Sequence, residues 1–274
     1  MADPTELNET GGRYEAPTLS EEFLNALVAE LDNDDIVGII LGGSFARGEA
    51  RPYSDVDIAC FVRDAVKLPQ KRFFYRSGRL VSVAATNATD IQSRLTNPER
   101  AFLFTAGRRR VLLDKDGSVT RLMQEIDAFN WQPLAAVASR NANFYLMIAA
   151  ESAHKVLNEL VSGDELALSY AVASLFSQLT LIVAIQRGVL VKSDSTYYRQ
   201  IEESVGLDSI WTRYHRIAAG VDAGSADVPP VVARGIATLH LYQETANLLW
   251  SILEPPQREV IEQTVRVIKK AGLL

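Results

Sequence analysis

The chain has 274 residues, 47% of them hydrophobic and 23% charged, enough apolar side chain to fill one large or two medium cores. Its 34 acidic and 28 basic residues give a formal net charge of -6, and without a basic excess there is no electrostatic footprint for a phosphate backbone, so a nucleic-acid partner is not expected. The one cysteine, Cys60, excludes an internal disulfide and suits a reducing compartment.

The opening stretch, MADPTELNETGGRYEAPT, is polar and acidic rather than leader-like. No apolar run approaches the ~20 residues of a bilayer span, so the chain reads as a soluble cytoplasmic protein with a frayed start and no membrane partner. Ser20 then stands as a candidate N-cap ahead of Phe23, Leu24, Leu27, Val28 and Leu31, whose spacing predicts a first helix. IVGIIL is a short β-branched run that ends at Gly42-Gly43 and reads as a buried strand entering a turn. SFARGEA follows as a short helix or loop, closed by Arg51-Pro52.

DVDIACFV reads as the next strand, with Cys60 as a buried structural thiol. KRFFYRSGRLVSVAA breaks at Ser77-Gly78 and predicts two strands joined by a tight turn. A helix is expected from Ala88 to Leu95, stopping before Asn97-Pro98, and RRRVLLDKDG resembles one more strand. After Trp131-Gln132-Pro133 the composition turns to Ala, Leu, Glu and Gln at helical spacing. Helices are expected over 134–161, 165–187, 195–203, 209–219, 231–253 and 258–271. The fold class is therefore α+β, with a small mixed-sheet domain over residues 1–130 and an all-helical domain over 131–274.

The chemistry concentrates between Gly42 and Ile58, in GGSFARGEARPYSDVDI. Asp55 and Asp57, two apart in a predicted strand, present their carboxylates to one face. Two such charges ionise together only if a cation compensates, and Mg²⁺ takes one or two carboxylates plus phosphate oxygens. Gly42 and Gly43 let backbone approach a ligand, and Ser44 offers a hydroxyl and an N–H where a helix begins. An isolated Asp-x-Asp would read as an edge strand with alternating acids. The Gly-Gly-Ser turn before it favours a phosphate and metal site.

These residues resemble the nucleotidyltransferase superfamily of polymerase-β type, whose signature is an apolar strand, Gly-Ser, a gap and Asp-x-Asp. Within it, GSFARGEARPYSDVDIACFV looks most like the kanamycin-type aminoglycoside nucleotidyltransferases. The resemblance implies that Gly43, Ser44 and Arg47 hold the triphosphate of an NTP, that Ser54 lies beside it, and that Asp55 and Asp57 bind Mg²⁺. Arg51 reads as an ordinary surface charge.

In that family a third acid projects from a later strand, and the matching strand GRLVSVAATNATDI carries Ser82 there. A hydroxyl does not replace a carboxylate towards a second cation, which weakens the case for a two-metal site. Asp90 and Glu49 are the other acids within sequence reach, although a helix N-terminal charge and a loop charge explain them.

Glu151 and Lys155 are four apart and share a helix face. Spacing alone makes them a surface ion pair. Their segment ESAHK also resembles the EYAGK-like segment of kanamycin-type enzymes, which would make Glu151 the general base and Lys155 a phosphate contact. His154, His215 and His240 show no metal-ligand spacing.

The function implied is transfer of a nucleoside monophosphate from an NTP, with Mg²⁺, to the hydroxyl of a small molecule of aminoglycoside-like kind. The same resemblance implies a homodimer. The alternative is a nucleotide-binding regulatory protein whose catalysis is weakened by Ser82.

Overall fold

The structure, a computed structural model, describes residues 17–63, 72–104 and 109–273. The expected frayed start therefore lies outside the described residues. Two compact units emerge. The first takes in the described residues up to Asn97 and those of Leu103–Phe129, and the second takes in Pro98–Phe102 and those of Asn130–Leu274.

In the first unit, helix α1 (Glu21–Leu31) is capped as expected, with the Phe23 N–H donating to Ser20 Oγ at 3.1 Å. The strands are β1 (Ile36–Leu41), β2 (Val56–Val62), β3 (Arg72–Arg76), β4 (Arg79–Thr86) and β5 (Arg110–Asp114), in the spatial order β3-β4-β2-β1-β5. β2 and β4 run parallel while the other pairs are antiparallel, which makes the sheet mixed. The predicted tight turn is a two-residue hairpin in which Ser77 and Gly78 have φ of 48° and 74°, and Arg76 pairs with Arg79. Positive φ at both central residues matches the right-handed twist of the strands it joins.

Alternation along the strands gives the sheet two faces. Ile39, Leu41, Ile58, Cys60, Val81 and Val83 pack with Leu24 and Leu27 of α1. Burial there raises the Cys60 thiol to about 11, as expected of a structural cysteine. On the opposite face Ile40 and Phe61 meet Ile91 of α3 (Ala88–Leu95) and Val119, Leu122 and Ile126 of α5 (Ser118–Asp127). β1 is buried along its whole length because both cores need it.

Two elements were not anticipated. Pro98, read as a stop, opens helix α4 (Pro98–Phe104), where a missing N–H costs nothing at the first position. Its Glu99 accepts from Tyr145 Oη and from Asn141 Nδ2, the latter at 2.9 Å, and Pro98–Phe102 accordingly groups with the helical unit rather than with residues 1–130. Helix α5 is seated by Asp114, whose Oδ2 accepts from the Thr120 N–H at 2.9 Å and from Thr120 Oγ1 at 2.6 Å.

The second unit is helical throughout its described residues: α6 (Ala135–Ser162), α7 (Glu165–Arg187), α8 (Tyr197–Val205), α9 (Ile210–Ala219), α10 (Pro230–Leu249) and α11 (Pro255–Lys270), with short 3-10 turns between some of them. Contrary to the expectation from sequence, α7 is long and apolar enough to cross a bilayer by length and composition. Its apolar window is 61% buried, and Leu175, Leu179 and Ile182 sit at the centre of the helical core.

A polar network crosses that core. His215 Nδ1 lies 2.8 Å from Glu202 Oε1, its Nε2 lies 3.2 Å from Thr180 Oγ1, and its ring stacks on Trp211. Burial outweighs the Glu202 hydrogen bond and lowers the His215 pKa below its ordinary 6.5. The unfolded chain thus takes up a proton first as pH falls, and stability present above pH 6.5 is lost below it. A lower urea midpoint at pH 5.5 than at pH 7.5 is expected, with the slope reduced in His215→Gln. Half-buried His240, whose pKa burial also lowers, contributes in the same direction.

Candidate functional site

The site is built where β1 ends and β2 begins. The Gly42 N–H donates to the Asp57 carbonyl at 2.9 Å, which brings the chain out of β1 directly beside the start of β2. Helix α2 (Gly43–Arg47) then begins at once, with Gly42 extended at its N-cap. Gly43 has φ +62°, and a Cβ built on it would fall 1.9 Å from Asp57 Oδ2. Only a residue without a side chain leaves room for the Asp57 carboxylate against the backbone. The first N–H groups of α2 have no intrahelical acceptor, so a carboxylate and outward-turned amides share one small volume.

Asp57 lies within β2, half-buried, while Asp55 precedes the strand rather than sitting in it. The paired acids therefore straddle the start of the strand, and only the Asp57 orientation is set by the pleat. Ser54 closes the turn before them, its Oγ accepting from the Arg51 N–H at 2.8 Å and its own N–H reaching the Arg51 carbonyl at 3.0 Å. Ser82 is the direct neighbour of Asp57 across the parallel pairing of β2 and β4 and is 3% exposed. The position where the resemblance expects an acid is thus in register with Asp57, and it carries a hydroxyl.

Both alternative acids are held by an arginine. Asp90 pairs with Arg94 at 2.6 Å and accepts from Thr86 Oγ1 at 3.2 Å. Glu49 pairs with Arg47 Nε at 2.7 Å. Arg47, with its side chain 12% exposed, lines a hollow with Leu19, Leu24 and Phe45 beside α1 rather than the hollow at Asp57. Among the described residues no group of three or more His, Cys, Asp or Glu side chains forms a metal cage. Two carboxylates fit Mg²⁺ nevertheless, since that ion completes its octahedron with water and phosphate oxygens.

A cavity of about 240 Å³ opens over the same sheet face, lined among others by Gly42, Asp57, Ser82, Thr86, Arg94 and Arg109. The two arginines were missed by the sequence reading. Burial pushes the Arg109 pKa below its ordinary value, with the Asp127 carboxylate opposing. Arg94 lay in a predicted helix and Arg109 in a basic run ahead of a predicted strand, and neither signal says that both border Asp57.

Glu151 and Lys155 lie in the helical unit on one face of α6, 2.8 Å apart, with side chains 74% and 59% exposed. The hydrogen bond from Lys155 holds the Glu151 carboxyl below its ordinary range. His154 beside them is exposed.

Residues 21–95 match the family model described as nucleotidyltransferase domain. The chain is 29% identical over 119 residues to a protein of Methanocaldococcus jannaschii that bears the name "Putative protein adenylyltransferase", the aligned part covering 39% of this chain and 77% of that protein. Among solved structures it is similar to a nucleotidyltransferase-like protein from Exiguobacterium sibiricum 255-15, at 12% identity and a TM-score of 0.47 over 92% of this chain and 91% of the other.

Proposed function

We propose, from the match of residues 21–95 to the nucleotidyltransferase-domain model, that the chain transfers a nucleoside monophosphate from an NTP to an acceptor hydroxyl. The observation that carries this reading is the fit of the Asp57 carboxylate against Gly43, where a Cβ would lie 1.9 Å from Oδ2. That fit sets the Asp57 carboxylate against the backbone at the start of α2, and it supports reading this carboxylate as a metal ligand.

In this reading Asp55 and Asp57 would hold Mg²⁺, which when bound neutralises the phosphates. Gly43 and Ser44 cradle the leaving pyrophosphate, and Ser54 keeps the turn that delivers Asp55. Arg109 and Arg94 supply positive charge at the wall of the adjoining cavity. The acceptor oxygen bonds to the α-phosphorus as the bond to pyrophosphate breaks, and the hydroxyl proton passes to a base. The resemblance nominates Glu151 for that base, Lys155 and Arg47 for the phosphates, and a homodimer for the working form. The lowered pKa of Glu151 makes it a weak base until Lys155 turns to a phosphate.

The acceptor in this reading is a small hydroxylated molecule. A polypeptide hydroxyl is the second reading, favoured by the name of the Methanocaldococcus relative. Incubation with Mg²⁺, α-labelled ATP or GTP and a panel of both acceptor kinds is expected to give labelled product and pyrophosphate, lost on chelation with EDTA. Tight nucleotide binding with no pyrophosphate release under any acceptor would instead make the chain a nucleotide-binding regulator.

A further inference from the structure

Helices α9 and α10 of the helical unit pack on each other but leave a hollow between them. From α10 it is lined by Ala233, Ile236, Ala237 and His240, at the i, i+3, i+4 and i+7 spacing of a single helix stripe, and from α9 by Arg213, Tyr214 and Ile217. Two of the four α10 positions are alanine. Side-chain volume is therefore missing where the helices meet, and a cavity of about 330 Å³ remains.

The loop that joins the two helices supplies the rest of the wall and is tied in place. Asp222 accepts from Arg216 Nε at 2.8 Å and from Arg216 Nη2 at 3.0 Å, which anchors the start of the loop to α9. Gly224 lies so close to α10 that a Cβ built on it would stand 2.6 Å from the Ala233 Cβ. The cavity is thus preformed, as small-molecule sites usually are.

Its chemistry has one sign. Arg213 is the one charged side chain among the described lining residues, and no Asp or Glu lines the cavity, although the chain as a whole carries a net charge of -6. Arg213 is exposed, and its guanidinium has no hydrogen bond or ion pair among the described residues. Tyr214 and His240 stack with ring centroids 4.4 Å apart and planes 3° from parallel, and neither the phenol oxygen nor the imidazole nitrogens have a hydrogen bond among the described residues. Burial lowers the His240 pKa against the pull of Glu244, so near neutral pH the ring is uncharged and has one N–H to donate. A solvated arginine on a helix surface is ordinary. An arginine, a hydroxyl and an imidazole around an apolar hollow without acids make a set of convergent donors.

We propose that this cavity binds a small monocarboxylate with an apolar body, the carboxylate paired with Arg213 and the body between Ile217 and Ile236. All its residues lie in the helical unit, so the site does not depend on the transfer reading. The volume stands at the lower end of the ~300–1,000 Å³ of ligand sites, which selects a small molecule. One guanidinium matches one negative charge, and its fork fits the two oxygens of a carboxylate. A phosphate dianion would leave charge uncompensated against apolar side chains, and a cation would find no acid to pair with.

The test is titration of the full chain with benzoate, phenylacetate, indole-3-acetate and isovalerate, with the matching amides and with benzylamine, followed by NMR of the His240 ring proton, which is identified by its loss in His240→Gln. At least one carboxylate is expected to shift that proton saturably and to bind about tenfold or more tighter than its amide, the worth of a charge-assisted pair. Arg213→Gln should lose the same factor with an unchanged thermal midpoint, because the guanidinium has no partner to lose among the described residues. Ala237→Leu should abolish binding by filling the cavity. If that variant fails to fold, Ala223→Phe on the exposed loop replaces it with the same expectation.

Four results overturn the proposal: no saturable binding by any of the carboxylates, an amide or benzylamine that binds as tightly, affinity that survives Arg213→Gln, or displacement of the carboxylate by inorganic phosphate at equal concentration.

Discussion

Asp57→Asn is expected to abolish nucleotidyl transfer while leaving the fold in place. Asparagine has the shape of aspartate, and the residue is half-buried at the start of β2, where backbone pairing with Ile58 and Val56 as neighbours sets its position. On the proposed function, what is lost is one of the two charges that would hold the metal, since the described residues form no group of three or more metal-ligating side chains and Ser82 is neutral. Removing a charge that acts on the developing transition state costs on the order of a thousandfold in rate, about 4 kcal/mol. Transfer of labelled nucleotide should fall by at least that factor, with an unchanged circular-dichroism spectrum and thermal midpoint. Activity within tenfold of the parent would place the metal elsewhere.

Gly43→Ala should damage the site from the backbone side. The left-handed φ of +62° costs any residue with a Cβ roughly 1–2 kcal/mol, and the added methyl would stand 1.9 Å from Asp57 Oδ2 and 3.1 Å from its Cβ. Either the carboxylate swings away or the α2 turn opens, and both separate the Asp57 carboxylate from the amides of α2. Gly48 is the control: its φ is +74° and a Cβ there meets nothing within 4 Å. Gly48→Ala should therefore lose only the stability that backbone strain costs. Gly43→Ala should lose the same stability and, beyond it, at least tenfold in nucleotide affinity by titration calorimetry and in transfer rate. Equal loss of activity in the two variants would refute the cradle.

Much of this was legible in order along the chain. The Ser20 cap, the Ser77-Gly78 hairpin, the buried Cys60 strand and the change of character near residue 130 follow from local rules. Periodicity, turn chemistry and side-chain size act over a few residues, and sequence displays them directly. Local rules also located Gly43, Asp55 and Asp57 as one motif, because the turn and the strand that join them are only fourteen residues apart.

Other features were read wrongly or missed, for physical reasons that differ. Pro98 signals a stop and a start equally well, and it takes tertiary contacts such as Tyr145 and Asn141 binding Glu99 to group Pro98–Phe102 with the helical unit. Helix α5 has no side-chain cap at Gly117, and its seat comes from Asp114 at the end of β5. The apolar helix α7 is buried by packing against α6, which directly precedes it, and α10, and its own composition does not reveal that cover.

For this protein, the sequence by itself determined most of the elements and the motif on which the proposed donor site rests, because a Gly-Gly-Ser turn followed by Asp-x-Asp is a local statement about charge and backbone freedom. Tertiary structure alone decided that Ser82 stands beside Asp57 and that Arg94 and Arg109 border the same cavity. Strand register is set by hydrogen bonds between segments far apart in the chain, and a one-residue slip would have turned every one of those side chains to the other face.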